Sequence, residues 1–373
     1  MILPTIIYFV IQRLYMSLDF SVIIPTFNES ETIQHTILTI DSVLQKTNIN
    51  YEILIVDDNS PDKTGNIVAK MSVSFPVRLI TRTSDPGLSQ SVIEGFKQAR
   101  GNIIAVTDAD LSHDVSILPQ MYETCLTNDV VIGSRYMQGG GIKDWPFKRR
   151  IISWGATFLS KILFPSVTDP VSGFFAVKKE LVFHTNLQPC GYKILLEILG
   201  KSYWHTVYEI PYVFTNRTVG DSKLRSKTIF DFIRHLITIA RFPGRASREI
   251  TKIKKFALVG FTGVFVNSIA LAFLVEWLSF PIVGASFLSV EIAIISNFVL
   301  NDSWTFKDHK NINPWLHRLI SFNSLCVGGL IINVAVLGIL SSFGLYYLIS
   351  NLFGIGIAMS WNFLSNRKLT WKN

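Results

Sequence analysis

IIAVTDADLSH, residues 103–113, is the stretch on which the reading of this chain turns. Four apolar residues, Ile103 to Val106, run directly into a polar segment with two carboxylates two positions apart, Asp108 and Asp110. A short apolar run of this kind fits a strand buried on both faces, which leaves the carboxylates on the rim of a sheet. On an extended or tightly turned backbone both reach one hard divalent cation, which prefers oxygen ligands. Such a cation bridges nucleotide phosphates and neutralises the charge that a departing diphosphate develops. Alone, an Asp-x-Asp pair fits a solvated turn equally well, so its neighbours decide the matter.

Upstream, the same design recurs. Val22–Ile24 forms an apolar run that Pro25 ends, followed by the cap-like Asn28-Glu29-Ser30. Ile53–Val56 leads into Asp57-Asp58-Asn59-Ser60-Pro61-Asp62, and Thr32 to Leu44 between them carries Ile33, Ile37, Ile40 and Leu44 at helical spacing. A third run, Val77–Ile80, leads to Gly87-Leu88-Ser89 and another helix. Repeated strand–helix–strand units with polar strand ends predict an α/β fold with a mostly parallel, Rossmann-like sheet, binding a nucleotide at its carboxyl edge.

Taken together, PTFNE (25–29), VDDNSPD (56–62), Arg82 with GLSQSVIEGF (87–96), TDADLSH (107–113), GSRY (133–136), DPVSGFFAV (169–177), GYKILLEIL (191–199) and NR…GDSKL (216–224) resemble family 2 glycosyltransferases of the GT-A fold. The resemblance is to the polyprenyl-phosphate sugar synthases of the dolichol-phosphate mannose synthase type. It covers nearly all of residues 20–225 in the family's order, departing at Phe27, where Tyr is common, and at Asp221, where Glu is common. It implies a GDP-mannose donor, a dolichyl or other polyprenyl phosphate acceptor, and Mg2+ or Mn2+. The metal falls to Asp108 and Asp110, with Ser112 as a further ligand. The donor falls to Pro25, Phe27, Glu29, Asp57, Asp58, Arg82, Asp108, Asp110, Arg217 and Lys223. The acceptor falls to Arg135, Arg149, Ser172 and Ser222. Asp110, Arg135, Arg217 and Lys223 are the expected catalytic set, since guanidinium forks match phosphate geometry. Three plainer readings stand beside these roles: Asp57 and Asp58 as strand-end caps, Arg82 as a surface charge, and SGFF (172–175) as a packed turn. His113, His184 and His205 read as structural, and Glu197 as a buried partner of Lys193 four residues earlier.

Beyond residue 255 the composition changes. Residues 256–301 hold only Glu276 and Glu291 as charged groups, and 319–366 hold none. Four apolar stretches, 256–278, 282–300, 319–340 and 344–364, are each near the ~20 residues that cross a bilayer. Lys252, Lys254, Lys255, Lys307, Lys310, Arg318, Arg367, Lys368 and Lys372 flank them, which by the positive-inside rule places both termini, the central loop and the catalytic part on the cytoplasmic side. Within this part, NFxxN at 297–301 repeats at 362–366, and GxxxN at 263–267 repeats at 329–333, so a duplicated hairpin is expected. The pattern resembles GtrA-like four-helix membrane domains, with the asparagines joining helices.

Two amphipathic helices read as lying on the membrane: 151–164, after Lys148-Arg149-Arg150, and Ile229–Ala240, whose polar face is expected to carry Asp231, Arg234, His235, Thr238 and Arg241. The expected organisation is an apolar segment over 1–19, a catalytic domain over 20–225 that includes helix 151–164, a second interface helix and linker over 226–250, and a membrane domain over 251–373. The apolar start lacks a small-residue cleavage pattern, so no signal peptide is read there. The net charge of +8 gathers near the spans and in 217–255, which suits anionic lipid headgroups and gives no nucleic-acid footprint. Three scattered cysteines argue against a disulfide framework and fit a reducing compartment. Two alternatives remain at this point. One keeps the reaction but takes UDP-glucose or another nucleotide sugar. The other is a lipid-linked sugar translocator with a nucleotide-sugar-binding appendage, for which Glu276 and Glu291 are the only intramembrane acids.

Overall fold

The computed structural model describes residues 18–188, 193–215, 226–242, 245–307 and 313–371. The expected roles of Arg217, Ser222 and Lys223, the apolar start over 1–17, and Lys310 fall outside these residues. The chain divides into a unit ending at Ser247 and a unit beginning at Arg248.

In the first unit, strands β1 (Phe20–Thr26), β2 (Tyr51–Asp57), β3 (Val77–Thr81), β4 (Ile103–Val106), β5 (Val130–Ser134), β7 (Phe175–Lys178) and β8 (Val207–Pro211) form one sheet in the order β3-β2-β1-β4-β7-β5-β8. All pairings are parallel except those of β7 with β4 and β5. A parallel ladder needs crossover helices, and α1 (Ile33–Leu44), α2 (Thr64–Met71), α3 (Leu88–Gln98) and α4 (Leu118–Thr127) supply them. With both faces covered, the strands carry continuous apolar residues, and Val22 to Ile24 and Ile53 to Val56 are fully buried. β1 does not stop at Pro25 as expected but continues to Thr26, paired with Asp57. Its pairing with β4 ends at Ile23, so a proline beyond that point removes no ladder hydrogen bond on the β4 side. A small parallel pair, β6 (Gly141–Ile142) and β9 (Val213–Phe214), stands apart from the main sheet.

Helix α5 (Phe147–Leu163) begins four residues earlier than the expected 151, so Arg149 and Arg150 sit in its first turn. α6 is the short Lys179–Phe183. α7 (Ile194–Lys201) and α8 (Ser226–Arg241) pack closely: a Cβ at Gly200 would collide with Ile239. The polar face expected for α8 is corrected here. His235, Leu236 and Ile239 are buried, whereas Ile233 and Ile237 are exposed. His235 enters the interior because its Nε2 lies 3.3 Å from the buried Glu197 carboxylate. The partner expected for Glu197 is also corrected. Its oxygens accept from Lys201 Nζ at 3.0 and 3.1 Å and from the Gln188 N–H, not from Lys193.

The second unit holds four helices: α9 (Arg245–Ala272), α10 (Ile282–Leu300), α11 (Trp315–Ser342) and α12 (Tyr347–Ser365). Continuing through short π-helical turns, they give four candidate spans: Arg248–Trp277, Ile282–Thr305, Trp315–Ser342 and Tyr347–Thr370. The repeat seen in sequence is physical. Gly263 faces the Asn297 amide and Gly329 faces the Asn362 amide, close enough that a Cβ at either glycine would collide. Small side chains line the buried face of α10 (Ala285, Ser289, Ala293) and of α12 (Ser350, Gly354, Ala358), letting backbones approach where apolar surface alone gives no drive to associate. Each NFxxN motif ends in a π turn, Asn301–Thr305 or Asn366–Thr370. Phe298, Phe306, Phe363 and Trp371 pack there with Phe256 and Phe322. Asp302 accepts from Arg318 and from the Trp371 indole, both at 2.6 Å, while Arg367 pairs with Glu249. Each hairpin's end is thus tied to the other's beginning, with the charges reversed. Glu291 accepts from Asn323 at 2.9 Å.

Candidate active site

The carboxyl ends of β1, β2, β4 and β5 bring the sequence motifs to one edge of the sheet. Directly after β4, the Asp110 carboxylate accepts the Ser112 N–H at 3.1 Å, which folds the motif back on itself. That fold places Leu111 in the left-handed region, φ 55°, at a cost of roughly 1–2 kcal/mol for a branched residue. Such local strain is a hallmark of functional turns. Asp110 and Ser112 are buried, and Ser112 Oγ has no hydrogen-bond partner among the described residues.

Asp108 is set by His113. The Nδ1 of His113 lies 3.2 Å from the Asp108 N–H and 3.0 Å from the Thr107 hydroxyl. Two donors aimed at Nδ1 make it the acceptor, so Nε2 carries the proton and faces Asp108 Oδ2 at 3.7 Å. Burial lowers the imidazole pKa against the pull of Asp108 and Asp110, which keeps the ring neutral. The ring stacks on Phe174 with centroids 4.9 Å apart. His113 is structural, as read from sequence, and its task is to hold Asp108.

This donor set fits a hard cation. It offers two carboxylates and a buried hydroxyl lacking a partner, all oxygen. Among the described residues no cluster of three or more His, Cys, Asp or Glu side chains forms.

On the β1–β2 side both plainer and sharper readings meet. Asp57 accepts from the Thr26 hydroxyl and from the Ser60 N–H and hydroxyl. Asp58 accepts from Arg82, the Ser91 hydroxyl and the Gly87 N–H. These carboxylates therefore cap strand ends and fasten three loops together. Arg82 is no surface charge: besides Asp58 it donates to the carbonyls of Ser84 and Asp85. Glu29 receives the Thr32 hydroxyl at 3.0 Å, and Phe27 stands exposed beside it. Pro25, Val106, Asp108, Ser172, Gly173 and Ile194 line one narrow cleft.

On the β5 side, Arg135 forms a bidentate pair with Asp169, Nε to Oδ2 at 2.7 Å and Nη2 to Oδ1 at 2.8 Å. Burial alone would depress the guanidinium pKa, but the Asp169 charge and hydrogen bonds raise it instead. Asp169 was not singled out from sequence; the only signal was its place at the head of DPVSGFFAV. Ser172, expected at the acceptor, donates to the Gly133 carbonyl at 2.7 Å and accepts the Phe174 N–H, which makes it the packed turn. A cavity of about 440 Å³ opens beside Arg135, lined by Tyr136, Ile142, Arg150, Ile151 and Trp154. Arg149 stacks over Trp145 at 4.1 Å.

Sequence reasoning also missed where Lys193 lies. The charges of Arg135, Asp108, Asp169 and Arg149 act on its ammonium. Burial, then Arg135, push its pKa down to about 8 against the pull of the two aspartates.

Residues 21–183 match the family described as glycosyl transferase family 2, and residues 255–371 match the GtrA/DPMS transmembrane domain. A dolichol-phosphate mannosyltransferase of Pyrococcus furiosus is 42% identical over 355 residues, covering 94% of this chain and 99% of that protein. The Saccharomyces cerevisiae protein of the same name is 33% identical over 261 residues, covering 66% of this chain and 96% of its own. Among solved structures, glucosyl-3-phosphoglycerate synthase from Mycobacterium tuberculosis in complex with Mn2+, UDP and glucosyl-3-phosphoglycerate has a TM-score of 0.47 at 19% identity, over 61% of this chain and 81% of that one. That likeness is too remote to bear on the reaction.

Proposed function

The chain belongs to the dolichol-phosphate mannosyltransferases of glycosyl transferase family 2, and we propose that it transfers mannose from GDP-mannose to dolichyl phosphate with inversion, giving dolichyl β-D-mannosyl phosphate and GDP. The observation that carries this reading is the juxtaposition at one sheet edge of the Asp108–Asp110 pair with the Arg135 side and its 440 Å³ cavity. One end of that arrangement suits a nucleotide diphosphate, the other a phosphate on an apolar chain.

A phosphate monoester has its second pKa near ~6, so the acceptor is already ionised at neutral pH and needs no general base. Catalysis then rests on orientation and on charge. Asp108 and Asp110, with Ser112, would hold Mg2+ or Mn2+, which neutralises the leaving diphosphate when bound. His113 keeps the Asp108 carboxylate aimed at that position. Pro25, Phe27 and Glu29 frame the base and ribose. Asp57, Asp58 and Arg82 serve the donor indirectly, by fixing the loops around it. Arg135 and Arg149 face the acceptor, with Arg217, Ser222 and Lys223 assigned by family resemblance to a loop over the donor diphosphate or the acceptor phosphate.

The catalytic domain is assigned to 20–225, the second interface helix and linker to 226–250, and the membrane domain to 251–373. Exposed Phe147, Ile151 and Trp154 on α5 support its resting on a bilayer. Basic residues at Lys252, Lys254, Lys255, Arg367 and Lys368 support a cytoplasmic face for both termini.

The test offers GDP-[14C]mannose and UDP-[14C]glucose separately to the purified protein with dolichyl phosphate and Mn2+. Label entering the lipid phase from GDP-mannose alone is expected. Label from UDP-glucose alone would overturn the donor assignment.

A further inference from the structure

Two phosphate groups must approach one another for this reaction, and their mutual repulsion has to be offset by nearby cations. Most of the cations read from sequence are already engaged. Arg135 is held by both oxygens of Asp169, and Arg82 is held by Asp58. Arg150 donates to the Ile142 carbonyl, and Arg149 lies on the Trp145 ring.

Lys193 differs. Its backbone caps α7, and the adjacent Ile194 lines the cleft that also holds Asp108, Ser172 and Gly173. The ammonium is partly buried, and no hydrogen bond or ion pair of it is found among the described residues. Lys201 and Lys178, by contrast, each pair with a carboxylate, at 3.0 and 3.1 Å. The charges of Arg135, Asp108, Asp169 and Arg149 all act on Lys193; of these, Asp108 lines that same cleft and Arg135 lines the cavity. The Arg135–Asp169 pair is neutral as a unit, so the net charge presented to the acceptor comes from Lys193, Arg149 and Arg150. A partly buried ammonium without a carboxylate in ion-pair reach gains more from an arriving dianion than a fully exposed one does.

We propose that Lys193 binds the phosphate of the lipid acceptor, taking the place in which a guanidinium from Arg135 is expected by sequence. The ammonium brings three donors on a flexible stem, so it follows the phosphate as the P–O oxygen moves toward the sugar. This inference rests on the acceptor being a polyprenyl phosphate.

The test uses the full chain in detergent, as wild type, Lys193→Met and Lys193→Arg. KM is measured for dolichyl phosphate at saturating GDP-mannose and for GDP-mannose at saturating dolichyl phosphate. Equilibrium binding of citronellyl phosphate in the presence of Mn2+ and GDP is measured alongside, with melting temperature as the folding control. Losing one charged contact is expected to raise the acceptor KM and weaken citronellyl phosphate binding about 10- to 100-fold in Lys193→Met. The donor KM should stay within about twofold, and Lys193→Arg should recover most of the loss. Unchanged acceptor KM and binding in Lys193→Met, or a rise confined to the donor KM, would overturn the proposal. Should Lys193→Met fail to fold, Lys193→Arg decides: tight citronellyl phosphate binding supports the charge role, and loss of binding in a folded protein overturns it. Absence of transfer by the wild type from GDP-mannose would count against the donor assignment, while phosphate binding would still report on Lys193.

Discussion

Arg135 and Asp169 form a fork-to-fork ion pair in the interior, 34 residues apart in sequence, with both hydrogen bonds under 3 Å. Asp169 Oδ2 also accepts the Arg135 N–H, and Glu209 in turn receives the N–H groups of Thr168 and Asp169. The wall of the proposed acceptor cavity is therefore a fixed lattice of charge and backbone, with the guanidinium plane held by Asp169.

Breaking that pair on one side leaves the other charge buried without its partner. Asp169→Asn is expected to destabilise the protein by about 3–5 kcal/mol. Arg135→Lys cannot reproduce the bidentate geometry and should also lower activity. Thermal melts in detergent and transfer assays check both.

His113→Phe keeps an aromatic ring on Phe174 but removes the acceptor for the Asp108 N–H. Partners of metal ligands are typically worth about 10- to 100-fold in metal affinity. The Mn2+ concentration for half-maximal activity should rise about tenfold, and Mn2+ binding followed by electron paramagnetic resonance should weaken in parallel.

Glu197 is buried, with Lys201, His235 and the Gln188 N–H around it. Burial pushes its pKa up, but hydrogen bonds from His235, Gln188 and Lys201 outweigh it and hold the value below 4.5. A depressed carboxylate pKa contributes stability that is complete above the unfolded value and is lost as pH falls through the folded one. Glu197→Gln should therefore lower the melting temperature at pH 7, and the gap from wild type should narrow only below about pH 4.5.

In the membrane unit, Gly263→Ala and Gly329→Ala push a methyl group into the amides of Asn297 and Asn362, whereas Gly260 has open space around it. The first two substitutions are expected to cost about 1–3 kcal/mol each, and Gly260→Ala almost nothing. Unfolding in mixed micelles measures the difference.

Four strands of the sheet, its mostly parallel character and the four spans were legible because each depends on local patterns: apolar runs ending in polar residues, and long uncharged stretches. The NFxxN repeat was legible for the same reason. Pairings across distance were not. Nothing adjacent in sequence links Arg135 to Asp169, so Arg135 read as an uncommitted cation. Lys193 and Lys201 both stand four residues from Glu197, but the helix begins only at Ile194, which leaves Lys193 at its cap and Lys201 on its surface. His235 read as polar-face because amphipathic spacing carries no information about a buried acid on a neighbouring helix.

The proposed reaction is metal-dependent, inverting mannosyl transfer at the Asp108–Asp110 centre. Incubating the purified protein with GDP-mannose, dolichyl phosphate and Mn2+, and determining by NMR the anomeric configuration of the mannosyl phosphate formed, decides it. Wild type should yield only the β product, and Asp110→Ala should lose about 100-fold or more of the rate. An α-linked product would exclude inversion, and a variant as active as wild type would exclude Asp110 as a metal ligand.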